Sequence, residues 1–251
     1  KKMILTSRNN PLIKEMAALK EKKGRKEQGF FLAEGVKMVS ECKRSGLEIG
    51  RTFVSESYRG ETDENAICVS DEVFAFLSDE KTPQGILCSV RIPKPSLCPP
   101  KESCLLLDGV SDPGNMGAII RTANAAGYGE IYLVGCTDPY SPKSVRASMS
   151  GIFFVKIYTG TREAVLEALS GLPILAADMD GENIFSFRPP EKFVLAIGNE
   201  ANGISEEVFR KAQHKLKIPM RAAQESLNAG IAAGIAMYLL KKDKFTDMER
   251  S

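Results

Sequence analysis

One histidine in 251 residues and six cysteines with no Cys-x-x-Cys pair remove several kinds of chemistry at once. His214, set between Gln213 and Lys215, reads as a surface side chain and leaves little material for a zinc site or a Ser-His or Cys-His nucleophile. No loop ends in Gly-Lys-Ser or Gly-Lys-Thr, and Gly114-Asn115-Met116-Gly117 has the wrong spacing for a dinucleotide fingerprint. Nucleotide hydrolysis and hydride transfer are therefore disfavoured. The uncharged run 226–240 is shorter than the roughly 20 residues that a bilayer-spanning helix needs, despite its Gly-x-x-x-Gly pair, Gly230 and Gly234. No apolar signal segment follows Lys1-Lys2, and Cys42, Cys68, Cys88, Cys98, Cys104 and Cys136 read as reduced thiols, so a cytoplasmic protein is expected. The formal net charge of +2 is too small to imply a nucleic-acid partner by itself.

What is present is unevenly placed. The first 26 residues hold nine basic side chains against two glutamates. Asn9 or Asn10, Pro11 and the apolar Leu12, Ile13, Met16, Ala17 and Leu19 predict a helix, and the run 20–26 a charged loop suited equally to solvent and to RNA phosphates. Short strands at 30–33, 53–55, 66–69 and 84–90, with helices at 35–45 and after Ser70, predict a small α/β domain. Pro93, Pro95, Pro99 and Pro100 then interrupt the pattern. The expected boundaries are a first domain over 1–95, a linker over 96–102 and a second domain over 103–251.

That second domain opens on the apolar run Cys104 to Asp108. It continues with strands at 131–134, 152–157, 174–177, 193–197 and 216–219, helices at 118–126 and 161–169, and another helix capped by Ser205. A helix of small residues built on Ala229, Gly230, Ala232, Ala233, Gly234 and Ala236 follows, then a charged tail from Lys241. The order implies a mostly parallel sheet with helices on both faces, in which ligands sit beyond the carboxyl ends of strands. Three polar loops leave strands there: 108–117, 198–203 and 219–228. Taken singly each is an ordinary turn, Asn115 and Ser226 being natural helix caps and Arg121 an exposed helix residue.

Taken together the residues resemble a known family. Asp112-Pro113-Gly114-Asn115-Met116-Gly117-Ala118-Ile119-Ile120-Arg121-Thr122-Ala123, Ile197-Gly198-Asn199-Glu200-Ala201-Asn202-Gly203, and Glu225-Ser226-Leu227-Asn228 with Ala232-Ala233-Gly234-Ile235 are similar to the three motifs of the SpoU/TrmH RNA 2'-O-methyltransferases of the SPOUT superfamily. The segment Phe31-Leu32-Ala33-Glu34-Gly35 resembles the opening of the ribosomal-protein-like substrate-binding domain that often precedes them. The resemblance implies an α/β protein: a C-terminal parallel-sheet SPOUT domain with a deep trefoil knot, preceded by that small RNA-binding domain. It implies S-adenosylmethionine as cofactor, held largely by main chain around Gly198, Ile218 and Leu227, and no metal. It implies ribose 2'-O-methylation of ribosomal or transfer RNA by a homodimer joined through the C-terminal domain.

The carried-over catalytic residues are Asn115, Arg121, Glu200, Ser226 and Asn228. An arginine, with a pKa above about 12, is a poor general base in water, so Arg121 reads first as a charge partner for a phosphate and a developing 2'-alkoxide. A base role stays open for an unusually desolvated guanidinium, and Glu200 and Asn115 are expected to hold its donors. The rival readings are a noncatalytic RNA-binding protein on the same fold and a nucleotide-dependent oxidoreductase.

Overall fold

A computed structural model describes residues 3–221 and 226–248. In chain order its elements are β1 (Ile4–Leu5), α1 (Pro11–Ala18), α2 (Lys22–Gln28), β2 (Phe30–Glu34), α3 (Val36–Ser45), β3 (Ile49–Ser55), β4 (Ile67–Val69), α4 (Asp71–Leu77) and β5 (Ile86–Arg91). Then come β6 (Cys104–Asp108), α5 (Pro113–Ala125), β7 (Glu130–Val134), α6 (Pro142–Ser148), β8 (Lys156–Thr159), α7 (Arg162–Ala168), β9 (Ile174–Asn183), β10 (Val194–Gly198), α8 (Glu206–Lys211), β11 (Ala212–Lys217), α9 (Ala229–Leu239) and α10 (Lys242–Met248). They fall into two compact units, one running to Ile92 and taking in Asp138–Phe153, the other holding Pro93–Thr137 and the residues from Phe154 onward.

In the first unit a five-stranded sheet of order β1-β4-β3-β5-β2 pairs β5 antiparallel with both β2 and β3. Ile13, Met16 and Leu19 of the α1 segment, Phe53 of β3 and Val73, Phe74 and Leu77 of α4 share one core. Asn10 caps α1, its Oδ1 accepting from the Leu12 amide at 2.9 Å, with Pro11 behind it as the sequence predicts. The basic run behaves differently from the expectation. Residues 22–28 are helix α2 and not a loop, because Arg25 is buried and its guanidinium reaches Asp138 Oδ2 at 2.7 and 3.0 Å and the carbonyls of Leu19 and Lys20. Gly24 passes so near Ala18 that a Cβ would stand 2.0 Å from its carbonyl oxygen, which only glycine allows.

Asp138 belongs to a stretch that sequence reading left blank. Ser141 caps α6 by accepting from the Ser144 amide, Pro142 holds the first position, and the whole stretch packs within the first unit. The strand expected over 152–157 starts only at Lys156, since Gly151–Phe153 form a 3-10 turn whose Phe153 ring lies 6.3 Å from that of Phe31.

The second unit is a six-stranded sheet of order β11-β9-β10-β6-β7-β8, parallel throughout. Its central strands β6, β7 and β10 are near-continuous apolar runs, as strands buried on both faces require; all five residues of β6 are buried. β10 lies beside β6 in a register that sets Gly198 against Asp108 at the carboxyl edge. Helix α5 begins five residues before the expected start, because Asp112 caps it by accepting from the Asn115 amide at 2.8 Å and Pro113 opens its first turn. Asn115 is therefore inside the helix rather than its cap. The expected charged tail is likewise helical, as α10.

Helices α5 and α9 lie side by side with small residues between them. A Cβ on Gly230 would stand 3.3 Å from that of Ala118, and one on Gly234 would stand 3.6 Å from Thr122 Cγ2. The matched offsets, 118 with 230 and 122 with 234, mean that the two helices run in the same direction and in fixed register.

Candidate active site

The site is assembled at the carboxyl edge of the parallel sheet by the loops after β6 and β10 and the residues before α9. Glu200, in the turn after β10, is its hub. Oε1 accepts from Asn115 Nδ2 at 3.0 Å and from the Asp112 amide at 3.3 Å. Oε2 accepts from the Ser111 hydroxyl at 2.9 Å and the Ser111 amide at 3.2 Å. Four donors on one carboxylate hold its charge. Partial burial would raise the Glu200 pKa, but the hydrogen bonds from Asn115 and Ser111 outweigh it and bring the group down to about 2.

Asn115 extends the chain. Its Oδ1 accepts from Asn228 Nδ2 at 2.8 Å, and that spends both faces of its carboxamide. Asn228 is the N-cap of α9, its own Oδ1 accepting from the amides of Gly230 and Ile231 at 3.0 and 3.2 Å. Glu200 in the turn after β10, Asn115 in the first turn of α5 and Asn228 at the N-cap of α9 thus form one continuous hydrogen-bonded line. Ser226 is exposed two residues ahead of Asn228, which takes the capping role that sequence alone allowed to the serine. Glu225 lies outside the described residues.

Arg121 stands apart. It is exposed on α5, on the side of Ala118, and among the described residues no hydrogen bond or ion pair reaches it. The expectation that Glu200 and Asn115 would hold its guanidinium is therefore corrected: their acceptors are taken by Ser111, Asp112 and Asn228.

The cofactor-binding candidates line the same edge. Gly198 ends β10, where the Asn199–Gly203 bridge folds the loop back over it, and a Cβ there would stand 2.2 Å from the Gly203 carbonyl carbon. Ile218 follows β11 and Leu227 precedes α9, both half-buried. Gly198→Ala is expected to lower stability by about 2 kcal/mol in a denaturant titration, since the neighbour it meets is backbone.

A second brace, which sequence reading missed, lies behind Gly198. Asp108 is buried at the end of β6 and accepts from Arg162 Nη2 at 2.9 Å and from the Ser205 amide at 2.8 Å. Burial acts to raise its pKa, but hydrogen bonds from Ser205 and Arg162 prevail and leave it below the usual carboxylate value. Only the position of Asp108 at a strand end hinted at this role.

A parallel open sheet with glycine-containing turns at its carboxyl edge, and a hydrogen-bonded line of one carboxylate and two carboxamides there, has the form of an α/β domain whose ligands sit beyond the carboxyl ends of its strands. Residues 102–238 match the SpoU rRNA Methylase family, and residues 10–88 match the MRM3-like substrate binding domain. The chain belongs to the SpoU rRNA methylase family. It is 29% identical over 245 residues to the 23S rRNA (guanosine(2553)-2'-O)-methyltransferase RlmP of Bacillus subtilis, covering 94% of this chain and 98% of that protein. It is 28% identical over 258 residues to the 23S rRNA (uridine(2479)-2'-O)-methyltransferase of Streptomyces viridochromogenes, covering 93% and 90%. Among solved structures, the AdoMet-bound rRNA methyltransferase from Sinorhizobium meliloti superposes with a TM-score of 0.86 at 30% identity, over 96% of this chain and 98% of that one.

Proposed function

We propose that this protein transfers a methyl group from S-adenosylmethionine to the 2'-hydroxyl of a ribose in structured RNA, with 23S ribosomal RNA favoured over transfer RNA. The observation that carries the reading is the hydrogen-bonded line Glu200–Asn115–Asn228, which joins the turn after β10 to the first turn of α5 and the N-cap of α9. Its relatives' activities agree with it. Main chain around Gly198, Ile218 and Leu227 would hold the cofactor, as the family resemblance implies, with Gly198 at the carboxyl end of β10. When bound, S-adenosylmethionine supplies a methyl group on a positively charged sulfur.

This chain's own residues supply position and charge. Arg121, free of internal partners among the described residues, offers its guanidinium to an RNA phosphate and to the oxygen that becomes negative as the ribose hydroxyl passes its proton to water. Asn115 and Asn228 fix the two loops against each other, and Ser226 lies on the same turn. A trefoil-knotted path of the C-terminal segment is part of this reading, as the family resemblance implies.

RNA recognition falls to the residues up to about 95, ahead of the segment over 96–102 and the methyltransferase portion from 103. Arg25 and Lys20 are used internally, Lys20 capping α4 through the Phe76 and Ser78 carbonyls at 3.0 Å, which leaves Lys14, Lys22 and Lys26 exposed for phosphates. A homodimer through the C-terminal unit is favoured by exposed Ile231 and Tyr238 on one side of α9, the latter stacked on Phe245 at 4.9 Å. Six unpaired cysteines suit the cytoplasm.

The test is calorimetric titration with S-adenosylmethionine together with mapping of ribose methylation across cellular RNA with and without the protein. A folded protein that binds RNA but not the cofactor would be a binding protein on this fold, and the enzymatic reading would be lost.

A further inference from the structure

The two helices that meet at Asn115 and Asn228 are also tied at their other ends. Lys241, just past α9, is buried, and its Nζ donates to the Gly127 carbonyl at 2.7 Å, at the C-terminal end of α5. The same nitrogen lies 3.7 Å from the centre of the Tyr128 ring, whose hydroxyl donates to the Met237 carbonyl of α9 at 3.2 Å. Between the two ends the facing residues are small. Gly230 faces Ala118 and Gly234 faces Thr122, and none of these four is a large interlocking knob.

We propose that Lys241 is a positioning residue, whose contact with Gly127 sets the register of α9 along α5 and so the distance at which Asn228 meets Asn115. The contact is directional: one ammonium reaches one carbonyl, at the end of a helix where the backbone dipole is negative. It is also costly, as an apolar side chain of similar length in the same place would bury no charge. Burial and the nearby Lys244 lower the Lys241 pKa to about 8, against a smaller opposing pull from Glu102 and Cys104. Glu102 is itself shared with Lys192 at 3.0 Å. A group kept at a cost to stability acts through specificity of alignment.

The inference deepens the methyltransferase reading but can be tested without it. In Lys241→Met, the melting temperature is expected to stay level or rise, while amide exchange protection over residues 229–233 falls about fivefold, the equilibrium equivalent of one net hydrogen bond. Lys241→Arg, which keeps a donor and can stack on Tyr128, is expected to retain that protection. S-adenosylmethionine affinity should follow protection and not melting temperature. A second sign comes from pH. The folded pKa lies below the unfolded value of 10.5, so folding expels a proton, and wild-type stability relative to Lys241→Met should rise from pH 8 toward 10.5. Unchanged protection in Lys241→Met, or loss of melting temperature and protection together, would overturn the assignment. Absence of cofactor binding in the wild type, with the exchange result as expected, would count against the enzymatic reading alone.

Discussion

Arg121→Ala is expected to leave S-adenosylmethionine affinity within about twofold of wild type while cutting methyl transfer about 100- to 1,000-fold, the loss typical for removing one charge-stabilising donor. The separation follows from its isolation. Arg121 is exposed and touches none of Glu200, Asn115 or Asn228 through a hydrogen bond among the described residues, so its truncation leaves that hydrogen-bonded line intact. The melting temperature should scarcely move, as for other exposed positions without structural partners. Single-turnover assays with saturating cofactor, beside calorimetry on the same preparation, check both halves. Equal loss of binding and turnover would mean that Arg121 holds the cofactor loops rather than the RNA.

Glu200→Gln should be nearly as damaging to turnover, by about a hundredfold, for a different reason. The carboxylate only accepts, and four donors converge on it from Ser111, Asp112 and Asn115. A carboxamide has the same shape but must turn N–H groups toward one of those donor pairs. The loop after β6 then shifts and carries Asn115 with it, and a displacement of about 1 Å at a reacting site is enough for such a loss. The pH behaviour identifies the cause. Because the folded pKa is held at about 2, below the ordinary 4.5, the group stabilises the fold above pH 4.5 and loses that contribution as the pH falls toward 2. The stability difference between wild type and Glu200→Gln should thus be flat from neutrality to about pH 5 and shrink below 4.5. A difference that persists undiminished to pH 2 would show that charge is not what matters at this position.

Legibility in the sequence followed the physics of each element. β6 was readable to the residue because an apolar run buried on both faces needs no partner to be recognised. The line Asn115–Glu200–Asn228 was readable only as three resembling motifs; that these residues bond to one another, and not to Arg121, depends on a register between β6 and β10 that no local pattern encodes. Helix α2 was hidden because its seven residues carry four positive charges, and what holds it is Arg25 reaching Asp138, 113 positions away. The far half of β9 was hidden for a related reason: Asp178, Asp180, Glu182 and Asn183 are polar, and Glu182 and Asn183 extend the strand by pairing with Leu216 and Lys217 of β11. Other misses had visible signals. Ser141-Pro142 is a helix start, and Asn228 is a better cap than Ser226 once Gly230 and Ile231 are seen to need an acceptor.

The bond between Asn115 and Asn228 also orders events during synthesis. As the chain leaves the ribosome, β6 and most of α5 are available long before residue 228 exists, and the Asn115 carboxamide oxygen must wait 113 residues for its donor. Contacts of such sequence separation form late and slowly. A chain short of residue 228 has every element through β11 in hand while the line Glu200–Asn115–Asn228 is still unfinished. The line closes only when the last small-residue helix takes its place beside α5.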